Sequence, residues 1–178
     1  MTKAVVIGLG SMGFGIASSI LRAGIDVKGA DVNAGAVERF AAQGGGAITG
    51  PDDYADREVV VIVVVNAAQT EAVLFGAAGV VPHLSPGTVV LSCATVAPDF
   101  ARAMEARCAE SGLLYLDAPI SGGQVRANDG TLAVMASGAP EAFTKARPVL
   151  DAMAANVFEL GDAPGPGSAM KTINQMLV

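Results

Sequence analysis

The sequence predicts an α/β fold with a doubly wound, mostly parallel sheet, ending in the start of a long helix. Apolar, β-branched segments alternate with helix-like segments from the first residues onward, as in parallel sheets with helical crossovers. The stretch 59–65 contains only valine and isoleucine, which is typical of a central strand covered on both faces. A glycine-rich turn separates the first strand from the first helix.

The individual elements follow from two patterns. Apolar β-branched runs predict strands, and apolar residues at helical spacing, such as Met12, Ile16 and Ile20, predict helices. The predicted strands are 3–8, 25–31, 59–66, 87–92, 112–117, 131–138 and 157–160. The predicted helices are 12–23, 34–43, 98–111, 140–154, which Pro140 and Glu141 open, and a last one that begins near Ser168.

A Gly/Pro-rich segment at 161–167 separates the last helix from the rest of the chain. We therefore expect one domain over 1–162, followed by a hinge and the start of a helix over 163–178. This helix has no C-cap signal before its apolar end at 176–178, so we expect it to continue in the natural protein.

Composition excludes several classes of protein. Of 178 residues, 17 are acidic and 11 are basic, and the net charge of −6 argues against binding to nucleic acids or anionic membranes. Hydrophobic residues make up 52% of the chain and charged residues 16%, which excludes disorder. No apolar run approaches the roughly 20 residues that span a bilayer, and the N-terminus has no signal-peptide pattern. We expect a cytoplasmic protein without a nucleic-acid or membrane partner.

The cysteines and the single histidine predict no metal site. Cys93 and Cys108 form no C-x-x-C pattern, and we expect both to be small buried hydrophobic residues. His83 lies in an apparent loop, where we expect a structural or solvent-exposed role.

The residues Gly8-Leu9-Gly10-Ser11-Met12-Gly13 form a G-x-G-x-x-G motif between a strand and a helix. The first glycine permits the tight turn, the second lets a pyrophosphate approach the backbone, and the third lets helix and strand pack closely. The helix N-terminus then offers N–H groups to the phosphates. The motif predicts a dinucleotide site, and a glycine-rich turn without a ligand is the alternative.

Asp31 ends the second predicted strand, where a carboxylate binds the hydroxyls of the adenosine ribose. Val32 and Asn33 follow, with no arginine that would balance the 2′-phosphate of NADP. Because an unbalanced carboxylate repels that phosphate, the sequence favours NAD, with cofactor contacts from Asp31, Val32 and Asn33.

Further candidate cofactor contacts follow two strands at the edge where ligands of open α/β sheets bind. Val65, Asn66 and Gln69 come at the end of the apolar strand, and Thr95 follows the strand at 87–92. Each polar residue can contact the nicotinamide half of the cofactor, or can instead be a turn or helix-capping residue.

Two segments supply candidate substrate contacts. In the S-G-G sequence at 121–123, backbone N–H groups and a serine hydroxyl suit a carboxylate, although the same residues can form a simple turn. In the last helix, Lys171, Asn174 and Gln175 project from one face. A lysine at this edge can exchange a proton with a substrate hydroxyl if its pKa is lowered; a solvated surface lysine is the alternative.

Three ordered segments, GLGSMG, DAPISGGQVRANDGTLAVMASG and GPGSAMKTINQ, resemble the β-hydroxyacid dehydrogenase family along the whole chain. The resemblance implies a Rossmann-like NAD-binding domain, followed by an all-helical domain that is absent from this chain. It also implies that Lys171 is the catalytic residue, that Ser121, Gly122 and Gly123 bind the substrate carboxylate, and that Thr95 contacts the cofactor. A homo-oligomer of the full-length form is expected.

Two departures from the family pattern concern the site. The segment 92–95 reads Ser-Cys-Ala-Thr where members often have Asp-x-Ser-Thr, and Asn174 and Gln175 stand where members often have two asparagines. The sequence leaves open which of the two amides holds the substrate. The VVVNAAQTE stretch and the K-T-I-N-Q ending are most similar to the L-threonate dehydrogenase branch.

The expected function is NAD-dependent oxidation of the hydroxyl of a small hydroxy or sugar acid, with L-threonate as a candidate. Hydride transfer would use Lys171 as general acid/base. A dehydrogenase or reductase of the 3-hydroxyisobutyrate or tartronate semialdehyde type is one alternative, and a non-catalytic NAD-binding module is another. An imine reductase and a methyltransferase fit less well, because neither accounts for Lys171.

Overall fold

The computed structural model describes residues 1–177, which form a six-stranded sheet, a three-stranded sheet and the helices that cover them. The strands are β1 (Lys3–Ile7), β2 (Asp26–Ala30), β3 (Gly46–Ala47), β4 (Val59–Ile62), β5 (Val89–Ser92), β6 (Leu114–Asp117), β7 (Ile120–Ser121), β8 (Leu132–Ala136) and β9 (Ala154–Glu159). The helices are α1 (Ser11–Arg22), α2 (Ala34–Ala42), α3 (Ala67–Phe75), α4 (Pro98–Glu110), α5 (Gly123–Asp129), α6 (Pro140–Met153) and α7 (Pro166–Met176).

The large sheet has the strand order β3-β2-β1-β4-β5-β6, and all neighbouring pairs are parallel. The chain builds one half of the sheet outward from β1 and then returns to build the other half from β4. The connections that follow β1 and β4 therefore diverge and leave a crevice at the carboxyl ends of the strands. This arrangement confirms the predicted doubly wound α/β fold.

The central strand β4 shows why a continuous apolar run was needed. Val59 and Val61 pack on the face covered by α1 and α6, whereas Val60 and Ile62 pack on the face covered by α3 and α4. All four side chains are fully buried. The strand is shorter than predicted, because the chain turns toward α3 after Ile62 and leaves Val65 79% exposed at the crevice.

The last three strands form a sheet of their own. The strands β7 and β8 pair antiparallel, β8 and β9 pair parallel, and a single bridge between Asp117 and Ser137 connects this sheet to β6. The sequence predicted β8 and β9 but not their separation from the large sheet, and it did not predict α3 or α5. None of the helices within residues 1–177 combines the length and the hydropathy that spanning a bilayer requires.

Candidate functional site

Two glycines of the loop between β1 and α1 bring backbone segments into close contact. Gly8 has φ +96°, and a Cβ at this position would lie 2.1 Å from the carbonyl oxygen of Val63. A Cβ on Gly13 would lie 1.7 Å from the carbonyl oxygen of Gly8. Both positions require glycine, because a side chain would overlap backbone atoms of the neighbouring segment.

Gly10 lies in open space instead. A Cβ at Gly10 would meet no atom within 4 Å, and the residue is exposed. It is the N-cap residue of α1, where no side chain caps the helix, and its carbonyl oxygen accepts from the Phe14 N–H at 2.9 Å. The first N–H groups of α1 therefore face an open surface, as a bound pyrophosphate requires.

Asp31 links the glycine loop to the end of β2. Its Oδ2 accepts a hydrogen bond from the Leu9 N–H at 2.6 Å, and its Oδ1 accepts one from the Asn33 N–H at 2.7 Å. Asn33 in turn caps α2 by accepting from the Gly35 N–H at 3.0 Å. Both carboxylate oxygens are held in place, and each keeps a lone pair for a ligand hydroxyl.

A first open cavity, of about 550 Å³, extends from Gly10 and Asp31 along α1. Arg39, which sequence reasoning missed, reaches this cavity from α2, and its guanidinium lies 5.9 Å from the centre of the Phe14 ring. Its position, eight residues after Asp31 on one face of α2, is visible only once the helix is placed.

Asn66 and Gln69 form a cap for α3. The Oδ1 of Asn66 accepts from the Gln69 N–H at 2.9 Å, and the Oε1 of Gln69 accepts from the Val65 N–H at 2.9 Å. The capping role left open by the sequence is therefore present, and it fixes the turn that carries the exposed Val65. A cofactor contact from Asn66 stays a prediction.

A second cavity, of about 380 Å³, lies at the carboxyl ends of the strands and brings together predicted residues that are far apart in the chain. From the cofactor side it is lined by Met12, Val65 and Thr95, together with Val63, Val64 and Cys93. From the substrate side it is lined by Ser121, Gly122, Gly123, Lys171 and Gln175, together with Ile120.

The turn at 121–123 exposes two glycines in backbone conformations with positive φ. Gly122 has φ +136° and Gly123 has φ +71°, and both are exposed. Successive backbone N–H groups in such turns form concavities that bind anions. A Cβ on Gly123 would meet no atom within 4 Å, so the space beside this turn is open.

Helix α7 presents its polar residues to two different cavities. Lys171 and Gln175 line the cavity with the S-G-G turn. Asn174 lines an apolar cavity of about 300 Å³ together with Met135 and with Ser121, which borders both cavities. That Asn174 contacts the same ligand as Lys171 and Gln175 therefore stays a prediction. At 3.6 residues per turn, Asn174 and Gln175 lie on opposite sides of Lys171.

The amine of Lys171 is partly buried, and this burial lowers its pKa below the ordinary value for lysine. Within residues 1–177 no carboxylate forms an ion pair with Lys171 that would restore the charged form. A lysine in such a setting is suited to proton transfer.

Cys93 forms part of the cavity wall. Burial raises its pKa to about 12, so the thiol stays protonated near neutral pH. Cys93 and Cys108 are both free and buried, which confirms the interpretation of both as small hydrophobic residues.

The strand order, with the glycine loop at the point where it reverses, is that of Rossmann-type dinucleotide-binding domains. Comparison with protein-family models gives the particular group. Residues 3–161 match the NAD binding domain of 6-phosphogluconate dehydrogenase, and the chain belongs to this family. The resemblance to β-hydroxyacid dehydrogenases is confirmed by the individual relatives.

L-threonate dehydrogenase of Cupriavidus necator is 51% identical over 173 residues, which cover 97% of this chain and 58% of that protein. NAD-dependent L-serine dehydrogenase of Pseudomonas aeruginosa is 39% identical over 179 residues, which cover 100% of this chain and 60% of that protein. The crystal structure of 3-hydroxyisobutyrate dehydrogenase from Salmonella typhimurium has a TM-score of 0.94 at 44% identity, covering 99% of this chain and 62% of that one. The chain thus spans about three fifths of the length of these relatives.

Proposed function

We propose that this chain is the NAD-binding and proton-transferring part of a dehydrogenase that oxidises the hydroxyl of a small hydroxy or sugar acid. The observation that carries the proposal is the cavity in which Lys171 and the turn at 121–123 lie together, beside Met12 of the glycine loop. L-threonate is the first candidate substrate, because the relative at 51% identity is named for it.

The residues present fit a dinucleotide. The open space over Gly10 and the uncapped N-terminus of α1 would hold the pyrophosphate, and Asp31 would hold the adenosine ribose. Val32, exposed after β2, would contact the adenosine half. Val65, exposed after β4 in the cavity that Thr95 also lines, would contact the nicotinamide half. A bound nicotinamide would supply the acceptor for the hydride of the substrate carbon.

Residues of this chain would bind the carboxylate of the substrate and accept the proton of its hydroxyl. The hydroxyl of Ser121 and the N–H groups of Gly122 and Gly123 would bind the substrate carboxylate. The neutral amine of Lys171 would take the proton of the reacting hydroxyl. Gln175 would orient the substrate, because it lines the same cavity, whereas Asn174 lines the cavity on the other side of Ser121.

The remaining cofactor contacts complete this assignment. Thr95 lies exposed at the edge of the cavity, where it would contact the nicotinamide half. Leu9, Ser11 and Asn33 border the first cavity beside Asp31 and would line the path of the cofactor.

The expected organisation of the full protein belongs to the same proposal. A boundary near residue 162 falls between β9 and α7. A homo-oligomer is supported by the exposed apolar side chains of Met170, Ile173 and Met176 on α7. A cytoplasmic location is supported by the two cysteines, which are free rather than paired.

The proposal is tested by following NADH formation with NAD and a panel of L-threonate, 3-hydroxyisobutyrate, L-serine and glycerate. Affinity for NAD is measured separately by calorimetry. Turnover on one acid identifies the substrate and supports the proposal. Binding of NAD without turnover on any acid contradicts its catalytic part and supports an NAD-binding module, and absence of NAD binding contradicts it altogether.

Replacing Asp31 by asparagine is expected to reduce the preference for NAD over NADP at least about tenfold. The substitution removes the charge that repels a 2′-phosphate and weakens the proposed charge-assisted bond to the ribose of NAD, a bond worth roughly 1.5–3 kcal/mol. An oxygen remains to accept from the Leu9 N–H. The measurement is the ratio of the two dissociation constants, obtained by titration.

The matched control for this experiment is Asp52→Asn, which removes an equal charge from an exposed position on the short helix Pro51–Tyr54. We expect it to leave the ratio unchanged. An unchanged ratio in Asp31→Asn would show that the carboxylate does not lie beside the 2′ position of the ribose.

A further inference from the structure

We infer that Asp117 is a positioning residue for Lys171: its carboxylate holds the start of α7 at the end of β6 and so determines where the lysine lies. The inference rests on the proposed role of Lys171 in proton transfer.

Asp117 supplies the cap that α7 lacks in its own sequence. The residue is 1% exposed, its Oδ1 accepts from the Ser168 hydroxyl at 2.6 Å, and its Oδ2 accepts from the Ser168 N–H at 2.8 Å and the Gly165 N–H at 3.1 Å. The N-cap residue of α7 is Gly165, which has no side chain for this purpose. A carboxylate at a helix N-terminus also interacts favourably with the helix dipole.

The rest of the first turn of α7 is held by the small sheet. The Gly167 N–H donates to the Ser137 hydroxyl at 2.9 Å, and Ser137 is joined to Asp117 by two backbone hydrogen bonds of 3.0 and 2.9 Å. Pro166 has no N–H, so each donor of this turn has a buried acceptor. A Cβ on Gly167 would lie 2.5 Å from the carbonyl oxygen of Met135, which shows how closely the helix approaches the strand.

These contacts lie one helical turn before Lys171. Within residues 1–177, the buried residues of α7 are Gly167 and Ser168 of its first turn, whereas Met170, Ile173 and Met176 are 41%, 51% and 80% exposed. The direction of the helix, and with it the position of the Lys171 amine, therefore depends on the anchored first turn.

The segment that leads into α7 does not determine the direction by itself. Gly161 and Gly165 both have positive φ, +152° and +118°, in a region that glycine enters freely. Burying a carboxylate costs free energy of desolvation, which apolar packing at the same place would avoid. What the carboxylate provides in addition is directional bonding to the α7 backbone.

The experiment compares the full chain with its Asp117→Asn variant by NMR, without substrate. Two quantities are followed: amide exchange at Gly165 and Ser168, and the titration of the Lys171 side chain through its ε carbon. The chain has only four lysines, Lys3, Lys28, Lys145 and Lys171, so the signals are few. We expect exchange at both amides to become at least about tenfold faster, because charge-assisted bonds are lost.

The titration distinguishes positioning from stabilisation. If α7 is released, the Lys171 amine gains water and its pKa rises toward the ordinary value, whereas the affinity for NAD stays unchanged because Asp117 does not border the glycine loop. Faster exchange with an unaltered Lys171 titration would reduce Asp117 to a structural residue and overturn the inference, as would unaltered exchange.

Two further variants complete the test. Asp151→Asn removes an equal charge from the exposed surface of α6 and is expected to change neither quantity. Ser168→Ala removes only the hydrogen bond from the Ser168 hydroxyl to Asp117. If Asp117→Asn does not fold, this variant replaces it: amide exchange is expected to become faster and the pKa of Lys171 to rise, both by less than in Asp117→Asn. No measurement here depends on turnover, so absent turnover in the unaltered chain contradicts the proposed function but not the anchoring of α7.

Discussion

Replacing Lys171 by methionine is expected to lower kcat for oxidation of the hydroxy acid by about 10²- to 10⁴-fold, the usual contribution of a general acid or base. Methionine has a similar length and keeps the apolar part of the side chain, but it cannot accept a proton. The affinity for NAD is expected to stay within about twofold, because Lys171 lies in the second cavity and not beside Gly10 or Asp31.

Steady-state kinetics on the acid identified by the substrate panel, with NAD binding measured by calorimetry, give both quantities. Lys145→Met is the matched control. Lys145 is an exposed lysine of α6 at the amino ends of the strands, opposite the candidate site, and its replacement is expected to leave kcat unchanged. Lys171→Arg separates charge from proton transfer, because arginine keeps the charge but does not release its proton. Activity that persists in Lys171→Met would exclude the lysine as the proton acceptor.

The pH dependence of oxidation follows from the same group. Only the neutral amine accepts a proton, so kcat/KM is expected to rise with pH until the pKa of Lys171 is passed. Burial lowers that pKa, so the rise is expected to end at lower pH than an exposed lysine would give.

Gly13→Ala is expected to destabilise the fold by about 3 kcal/mol or more, while Gly10→Ala leaves its stability within about 0.5 kcal/mol. The Cβ on Gly13 would overlap the Gly8 carbonyl oxygen at 1.7 Å, and relief requires α1 to move away from β1. The Cβ on Gly10 would meet no protein atom within 4 Å. Urea unfolding of the two variants measures the difference.

Gly10→Ala, which is expected to leave stability almost unchanged, is expected to weaken the binding of NAD. A methyl group on Gly10 would occupy the space proposed for the pyrophosphate, so the affinity of the folded Gly10→Ala variant for NAD is expected to fall at least about tenfold. Calorimetric titration with NAD checks this expectation. Unaltered affinity would mean that the pyrophosphate does not pass over Gly10.

The fold was predictable because its signals are local. A buried strand such as Val59–Ile62 must be apolar on both faces, and a helix such as Ser11–Arg22 must repeat its apolar residues every three or four positions. Helix α3 was not predicted because only Thr70 and Leu74 of its nine residues are buried, which leaves a weak apolar pattern. Helix α5 was not predicted because it has only seven residues.

Part of the candidate site was likewise predictable from local motifs, and part was not. The glycine loop and Asp31 are a local motif, whose spacing reflects one strand, one turn and one helix. The pairing of Lys171 with the turn at 121–123 came from a family resemblance, since no local pattern connects segments fifty residues apart. Which cavity Asn174 and Gln175 each line could not be predicted before the rotation of α7 about its axis was known.

By itself, the sequence determined the doubly wound sheet, the glycine loop and the acidic end of β2, because backbone sterics and hydrophobic periodicity act over a few residues. Only the tertiary structure decided that Arg39 reaches the cavity beside Asp31, that Gln175 rather than Asn174 shares a cavity with Lys171, and that Asp117 holds the start of α7. Those relations depend on the rotation of helices and on hydrogen bonds between residues separated by as many as 51 positions, which no local pattern encodes.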